Sequence, residues 1–245
     1  MVSGARIRLS ADMRKIAVVA ALEREIGPLV AGWRVVRRSL DGREFKFFES
    51  EVAVVVCGGI GPAAARRACE AVCASYGPEM VISAGFAGAL NADLHAGDVV
   101  VPARVIDAGD GSSVETGTGL RGLVSVAETA TVERKCVLGA KYDAVAVDME
   151  AAAVARAAGL RAVRFVAVKA ISDELDFEIP VVEGSVDAQG QFHEGRFLAG
   201  AAMRPWIWGR VVRLARNSSL ASRRLSDALG ARMAEYRSAP VQTRR

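Results

Sequence analysis

An α/β domain with a largely parallel or mixed sheet is predicted for this chain by three observations. Short Val-rich runs recur along it, helical patterns alternate with those runs, and no Gly/Ser-rich linker divides it. Strands that are apolar on both faces need cover on both faces, which the intervening helices supply. A chain of 245 residues suits one large domain with a sizeable core. The expected division is an N-terminal extension over 1–14, the α/β domain over 15–203, and a basic helical C-terminal appendage over 204–245.

The elements follow in order. "KIAVVAA" (15–21) reads as a short strand, followed by a helical pattern over 22–30. "EFKFFE" and "VAVVVC" read as two strands joined by a turn at Ser50 and Glu51. "GGIGP" (58–62) ends a strand and opens a helix over 63–75, with Pro62 at its start, where a missing N–H costs nothing. "MVISAG" is a buried strand that runs into a second glycine turn, 84–88, and "DVVVPARVID" holds one or two more strands. "GLVSVAE" and "DAVAVD" precede a helix over 149–158, "AVRFVAVKAIS" is the last long strand, and helices fill the chain from about residue 195.

Composition excludes several classes. Hydrophobic residues make up 51% and charged residues 24%, as in soluble globular proteins. No apolar run reaches the roughly 18 residues of a membrane-spanning helix. The first residues carry basic side chains but no apolar h-region, so no secretory signal is read there and the cytoplasm is the expected address. Cys57, Cys69, Cys73 and Cys136 form no CxxC pair and are expected as reduced thiols. His95 and His193 stand far apart, which gives no support to a zinc site or a His-dependent triad. Neither metal nor cofactor is expected.

In sheets of this kind ligands gather at the carboxyl ends of strands. Glu23, Arg24 and Glu25 follow the first strand, and 58–61 and 84–88 follow two others. Asp148, Met149 and Glu150 follow "DAVAV", and Ser172 and Asp173 follow the last long strand. The glycine turns let backbone N–H groups approach an anion or a sugar, or they are simply tight connections; neither is a P-loop or a GxGxxG fingerprint. Glu150 is a first-turn helix acid or an acceptor for a vicinal diol, with Met149 as an apolar floor. Desolvation of Asp173 would raise its pKa and let it protonate a leaving base. Its neighbours Glu174, Asp176 and Glu178 fit a solvated loop. Glu25 has the chemistry to activate water and Arg24 to hold phosphate, unless both are plain exposed helix residues.

Taken in order, "KIAVVAALEREIGPL", "GGIGPAAAR", "MVISAGFAGAL…LHAGDVVVP", "VAVDMEAAAVA" and "FVAVKAISD" resemble the motifs of the purine and uridine phosphorylase and nucleosidase superfamily. That family includes methylthioadenosine/S-adenosylhomocysteine nucleosidases. The resemblance implies a single α/β domain with a central mixed β-sheet flanked by helices, assembled as a homo-oligomer, dimer or hexamer, and acting on a purine nucleoside. It assigns Glu150 to the ribose diol, Met149 to the space beneath the sugar, and Asp173, beside Ser172, to protonation of purine N7. Gly85 and Phe86 fall with the substrate, Arg24, Gly59 and Gly61 with phosphate, and Glu25 with the water-activating carboxylate of the nucleosidases. Inorganic phosphate is the expected co-substrate, on the strength of Arg24. Water is the alternative, favoured by Glu25 and by Ser83, which stands where some phosphorylases carry arginine.

Departures from the family pattern refine this. Gly58 replaces the serine that often begins the first turn, and the segment from Asp107 to Asp148 is short, with no stacking aromatic in "SVAETATVE". A more open pocket and a bulky 5′-substituent are implied. The C-terminal stretch is similar to that of hopanoid-associated phosphorylases, which implies adenosylhopane as substrate. From Arg204 onward ten arginines face two acids, Asp227 and Glu235. This region either packs on its own domain with a solvated basic face, or touches the inner membrane face through Trp206, Ile207, Trp208, Val211 and Val212 beside Arg204, Arg210, Arg213 and Arg216. No recognition motif accompanies the arginines, so no nucleic-acid partner is expected. A non-catalytic nucleoside-binding module is the reading of another class, and the presence of both Asp173 and Glu150 argues against it.

Overall fold

The computed structural model describes residues 16–117, 119, 121–180, 185, 187 and 190–238; the expected extension over 1–14 lies outside them. The chain begins with β1 (Ile16–Ala20), α1 (Glu23–Val30) and a meander of β2 (Arg34–Leu40), β3 (Arg43–Glu49) and β4 (Ala53–Cys57). α2 (Pro62–Tyr76) leads to the long β5 (Met80–Ala89), and the short β6 (Val99–Val100), β7 (Arg104–Asp107), β8 (Ser113–Glu115) and β9 (Gly122–Ser125) follow. Then come α3 (Val132–Tyr142), β10 (Ala144–Asp148), α4 (Ala151–Gly159), β11 (Arg164–Asp173), α5 (Glu194–Ala202), a 3₁₀ turn at Pro205–Ile207 and α6 (Trp208–Ser238).

The strands form one mixed sheet in the order β2-β3-β4-β1-β5-β10-β9-β7-β8, with β11 paired to β5 and β6. β11 runs parallel to β5 from Arg164↔Met80 to Asp173↔Gly88 and so takes one edge of β5 over nearly its whole length. The other edge is shared. β1 pairs there in parallel with residues 80–83, and β10 pairs antiparallel with residues 88 and 89. The carboxyl ends of β1 and β10 therefore point at each other across a gap in the sheet at residues 84–87. Every candidate acid lies around that gap.

The core has two layers of helix cover. α2 and α4 close one face over Val19, Val54, Val81 and Ala167, while α1 and α6 close the other over Ile16, Val18, Ile82 and Val168. On α6, Ala221, Leu225, Leu229 and Met233 recur every four residues and are buried in this second cluster. Each such leucine contributes about 1.5–3 kcal/mol. Of the two readings of the basic tail, packing on the domain holds for this half of the helix.

Three differences from the sequence reading have local causes. "AGFAG" is not a turn: β5 continues through it, because the gap in its edge is filled by side chains rather than by a bend of the chain. β2 is partly exposed along its whole length and has no apolar face to betray it. α3 presents only Lys135 and Leu138 as fully buried side chains, too little apolar periodicity to read.

Candidate active site

A cavity of about 180 Å³ occupies the gap, lined among others by Glu25, Phe86, Lys135, Met149, Glu150 and Asp173. Ala21, at the carboxyl end of β1, and Leu22 point their N–H groups at Glu25 Oε2, at 3.1 and 3.2 Å. The side chain is thereby folded back inward from the first turn of α1 and buried. Burial pushes its pKa up, opposed by Lys169, by those two N–H groups and by Arg24. Gly85 (φ 150°) makes room for it, since a Cβ there would stand 3.0 Å from Glu25 Oε2.

Glu150 sits at the N-cap of α4. Its Oε1 accepts from Gly61 N–H at 2.8 Å and its Oε2 from Met149 N–H at 3.3 Å. Burial and the Asp148 charge together push its pKa up to about 7, against the pull of Lys169 and of Gly61 N–H. Beneath it lies a polar network that the sequence reading missed. Asp148 accepts from Ser125 Oγ at 2.5 Å and Ala151 N–H at 2.9 Å, and pairs with Lys169 Nζ at 2.8 Å. Burial alone would lower the pKa of Lys169, but Asp148, Glu150 and Glu25 around it raise it. One buried cation thus serves three carboxylates. The signal for it was a lysine inside an otherwise apolar strand, "FVAVKAIS".

Asp173 ends β11 and is buried. Ser172 Oγ donates to its Oδ1 at 2.8 Å, and Lys135 Nζ donates to its Oδ2 at 2.5 Å. Lys135, wholly buried on α3, also donates to the carbonyls of Glu174 and Phe177 at 2.8 and 3.2 Å. All three ammonium protons are therefore committed. Gly88 explains the approach: a Cβ there would meet Asp173 Oδ2 at 2.6 Å and Lys135 Cε at 3.2 Å. The following acids are not a uniformly solvated loop. Glu174 pairs with Arg213 at 2.5 Å, and Glu178 accepts from Val132 N–H at the start of α3 at 3.3 Å. Only Asp176 keeps a largely exposed side chain.

The first glycine turn is spoken for. Gly58 and Gly59 donate to the carbonyls of Ala20 and Ala21, each at 3.0 Å, Ile60 to that of Gly190 at 2.7 Å, and Gly61 to Glu150. The turn as folded offers no free N–H to an anion, so Gly59 and Gly61 position Glu150 and the chain rather than form an open cradle. Arg24 lies at the rim, with its guanidinium 4.6 Å from the centre of the Phe192 ring. Beside it lies a second and larger cavity of about 680 Å³, which shares Arg24, Ile60, Phe86, Thr129 and Ile179 as walls. Phe192, Phe197, Val211 and Leu214 make the far side of that chamber mostly apolar. Met149, Phe86 and Ser172 line the smaller cavity together. Among the described residues no group of three or more His, Cys, Asp or Glu side chains is arranged to hold a metal ion.

Comparison with known proteins gives the family and the fold. The profile of the phosphorylase superfamily matches residues 15–124 and 114–194. A 5′-methylthioadenosine/S-adenosylhomocysteine nucleosidase of Bacillus licheniformis is 26% identical over 197 residues, 65% of this chain and 85% of that protein. The same-named nucleosidase of Helicobacter pylori, crystallised with a substituted pyrrolidin-3-ol, superposes with a TM-score of 0.67 at 20% identity, covering 91% of this chain and 99% of that one. Futalosine hydrolase of Helicobacter pylori gives a TM-score of 0.63 at 20% identity, with 89% and 98% covered. At such identities the superpositions establish the fold.

Proposed function

Because this chain belongs to the phosphorylase superfamily, we propose that it is an enzyme cleaving the N-glycosidic bond of an adenine nucleoside, with water as acceptor and a large apolar group at the 5′ position. The observation that carries this reading is the convergence of Glu25, Glu150 and Asp173, from three separate elements, on one buried cavity. Burial pushes the pKa of Glu25 up and that of Glu150 up to about 7, the kind of perturbation that marks functional acids.

The steps balance as follows. Glu150 accepts hydrogen bonds from the ribose 2′- and 3′-hydroxyls and fixes the sugar over Met149. Water attacks C1′ and gives a proton to Glu25, whose raised pKa suits a general base. The C1′–N9 electron pair leaves with the purine, and N7 takes a proton from Asp173. Both oxygens of Asp173 are occupied in the resting site, so that proton is drawn from the Lys135 ammonium hydrogen-bonded to it. Solvent later restores the proton to Lys135 while Glu25 releases the one it took.

Water is favoured over phosphate by the committed N–H groups of 58–61 and by Ser83, a buried serine where an anion site would want a cation. Arg24 supports the second reading, phosphorolysis, since its guanidinium is in no ion pair with a described residue and lines both cavities. The 680 Å³ chamber favours a bulky apolar 5′-group over a small one, in keeping with an adenosylated lipid precursor such as adenosylhopane.

Adenine release from adenosine and from a 5′-alkylated analogue, with and without inorganic phosphate, tests the reading. Equal release in phosphate-free buffer, with free sugar as product, is expected. Phosphate-dependent release with a sugar 1-phosphate product would replace water by phosphate and give Arg24 the anion. No release under either condition would leave a nucleoside-binding module.

A further inference from the structure

The chamber wall carries a second, outward-facing feature. Trp208, Val212, Ala215 and Ser219 follow one another on α6 at spacings of four, three and four, which puts them on a single stripe. Trp208 and Val212 are each at least half exposed, while Ala215 and Ser219, also exposed, line the 680 Å³ chamber. An apolar stripe on the protein's surface therefore runs into the chamber. Met203 and Trp206, on the turn just before the helix, extend the stripe and are more exposed still. Trp208 is held in its outward pose by its own Nε1–H, which donates to the Ala201 carbonyl at 2.9 Å. Ile207, between the two tryptophans, faces the opposite way and packs with Ala201, Phe197 and Val211.

Charge surrounds the stripe. Arg216 and Arg223 stand four residues after Val212 and Ser219, on its flank, and Arg204 precedes Trp206. None of the three forms an ion pair with a described residue, whereas Arg213 is engaged by Glu174. Two exposed tryptophans with an apolar edge and unpaired arginines match the headgroup region of an anionic bilayer, where indole rings settle at the interface and guanidinium groups meet lipid phosphates. A folded protein partner would call for a broad, flat contact area rather than a narrow ridge beside a cavity mouth. Among the described residues no helix is long and apolar enough to cross a membrane, so any such contact is peripheral.

We propose that Met203, Trp206, Trp208 and Val212, flanked by Arg204 and Arg216, dock this protein on an anionic bilayer surface, with the apolar chamber opening at the docked face. A ligand whose apolar part resides in the membrane then passes into the chamber without crossing water. The docking stands apart from the reaction proposed above, because it is read without turnover.

Co-sedimentation of the full chain with vesicles of phosphatidylcholine alone, and of phosphatidylcholine with phosphatidylglycerol, tests it. Binding to the anionic vesicles that weakens with added salt is expected. Trp206→Ser with Val212→Ser should weaken it by at least about tenfold, and Arg204→Gln and Arg216→Gln by roughly fivefold each. Adenine release from soluble adenosine should be unchanged in all of these variants, which separates lost docking from lost folding. Wild-type protein that stays in the supernatant, or variants that bind as well as wild type, would overturn the proposal. So would sedimentation velocity showing that the stripe holds two copies of the chain together, with the dimer dissociated by Trp206→Ser.

Discussion

Asp173 accepts a hydrogen bond on each of its oxygens, and that detail makes the sharpest predictions. Asp173→Asn keeps the shape and removes the acid, so adenine release should fall by about 10²–10⁴-fold. Lys135→Met should slow the reaction as well and also lower the melting temperature, because it leaves a buried carboxylate unpaired, a loss of about 3–5 kcal/mol. Glu150 gives a pH prediction. Its pKa is raised from 4.5 to about 7, so its charged form is disfavoured by folding. The stability it contributes is fully present below pH 4.5 and is lost as pH rises through about 7. Glu150→Gln should therefore match wild type in melting temperature at acid pH and exceed it above pH 7, while losing the acid limb of kcat/KM near pH 7. The three acids were legible in the sequence because each closes a strand or opens a helix at the carboxyl rim. Lys135 and Lys169 were not. Lys135 meets Asp173 across 38 positions of sequence, from a helix whose weak apolar pattern hid it.

At the scale of elements, the long β5 organises the site. Its residues 84–87 are bare of a partner strand on one edge, and its glycines are there to admit side chains rather than to turn the chain. Gly88→Ala should cost at least tenfold in adenine release with the circular dichroism spectrum unchanged, since the new Cβ must displace the Asp173–Lys135 pair. α6 is the other informative element. The sequence reading left this basic region either packed on its own domain or at a membrane, and Leu225 and Leu229 are wholly buried in the core cluster that covers the sheet. Leu229→Ala should destabilise by about 2–5 kcal/mol in denaturant melts. Truncation before Arg204 should abolish activity on soluble adenosine too. Strand order and the antiparallel entry of β10 were beyond the sequence, because pairing of strands far apart in the chain leaves no local pattern.

For the whole molecule, two cavities of about 180 and 680 Å³ share walls, and the function proposed above puts chemistry in the smaller and recognition in the larger. Each methylene added to a 5′-alkyl group and buried in the larger one is worth about 0.8 kcal/mol. Specificity, read as kcat/KM on a homologous series of 5′-alkyl adenosines, should therefore climb roughly fourfold per carbon until the chamber is full. A flat series would mean that the chamber is not the 5′ site. The absence of a stacking aromatic in "SVAETATVE" was visible in the sequence. The volume was not visible, because its walls come from Arg24, Phe86, Phe192 and α6, scattered over the length of the chain.

The acids hang from the sheet and its immediate connections, whereas much of the chamber's apolar wall hangs from α5 and the first turns of α6. That division makes the molecule a fixed engine with an interchangeable hopper. Under the reaction proposed above, sequence drift between residues 192 and 219 reshapes what is admitted while every proton-carrying group keeps its place, so a lineage can change diet without relearning how to cut.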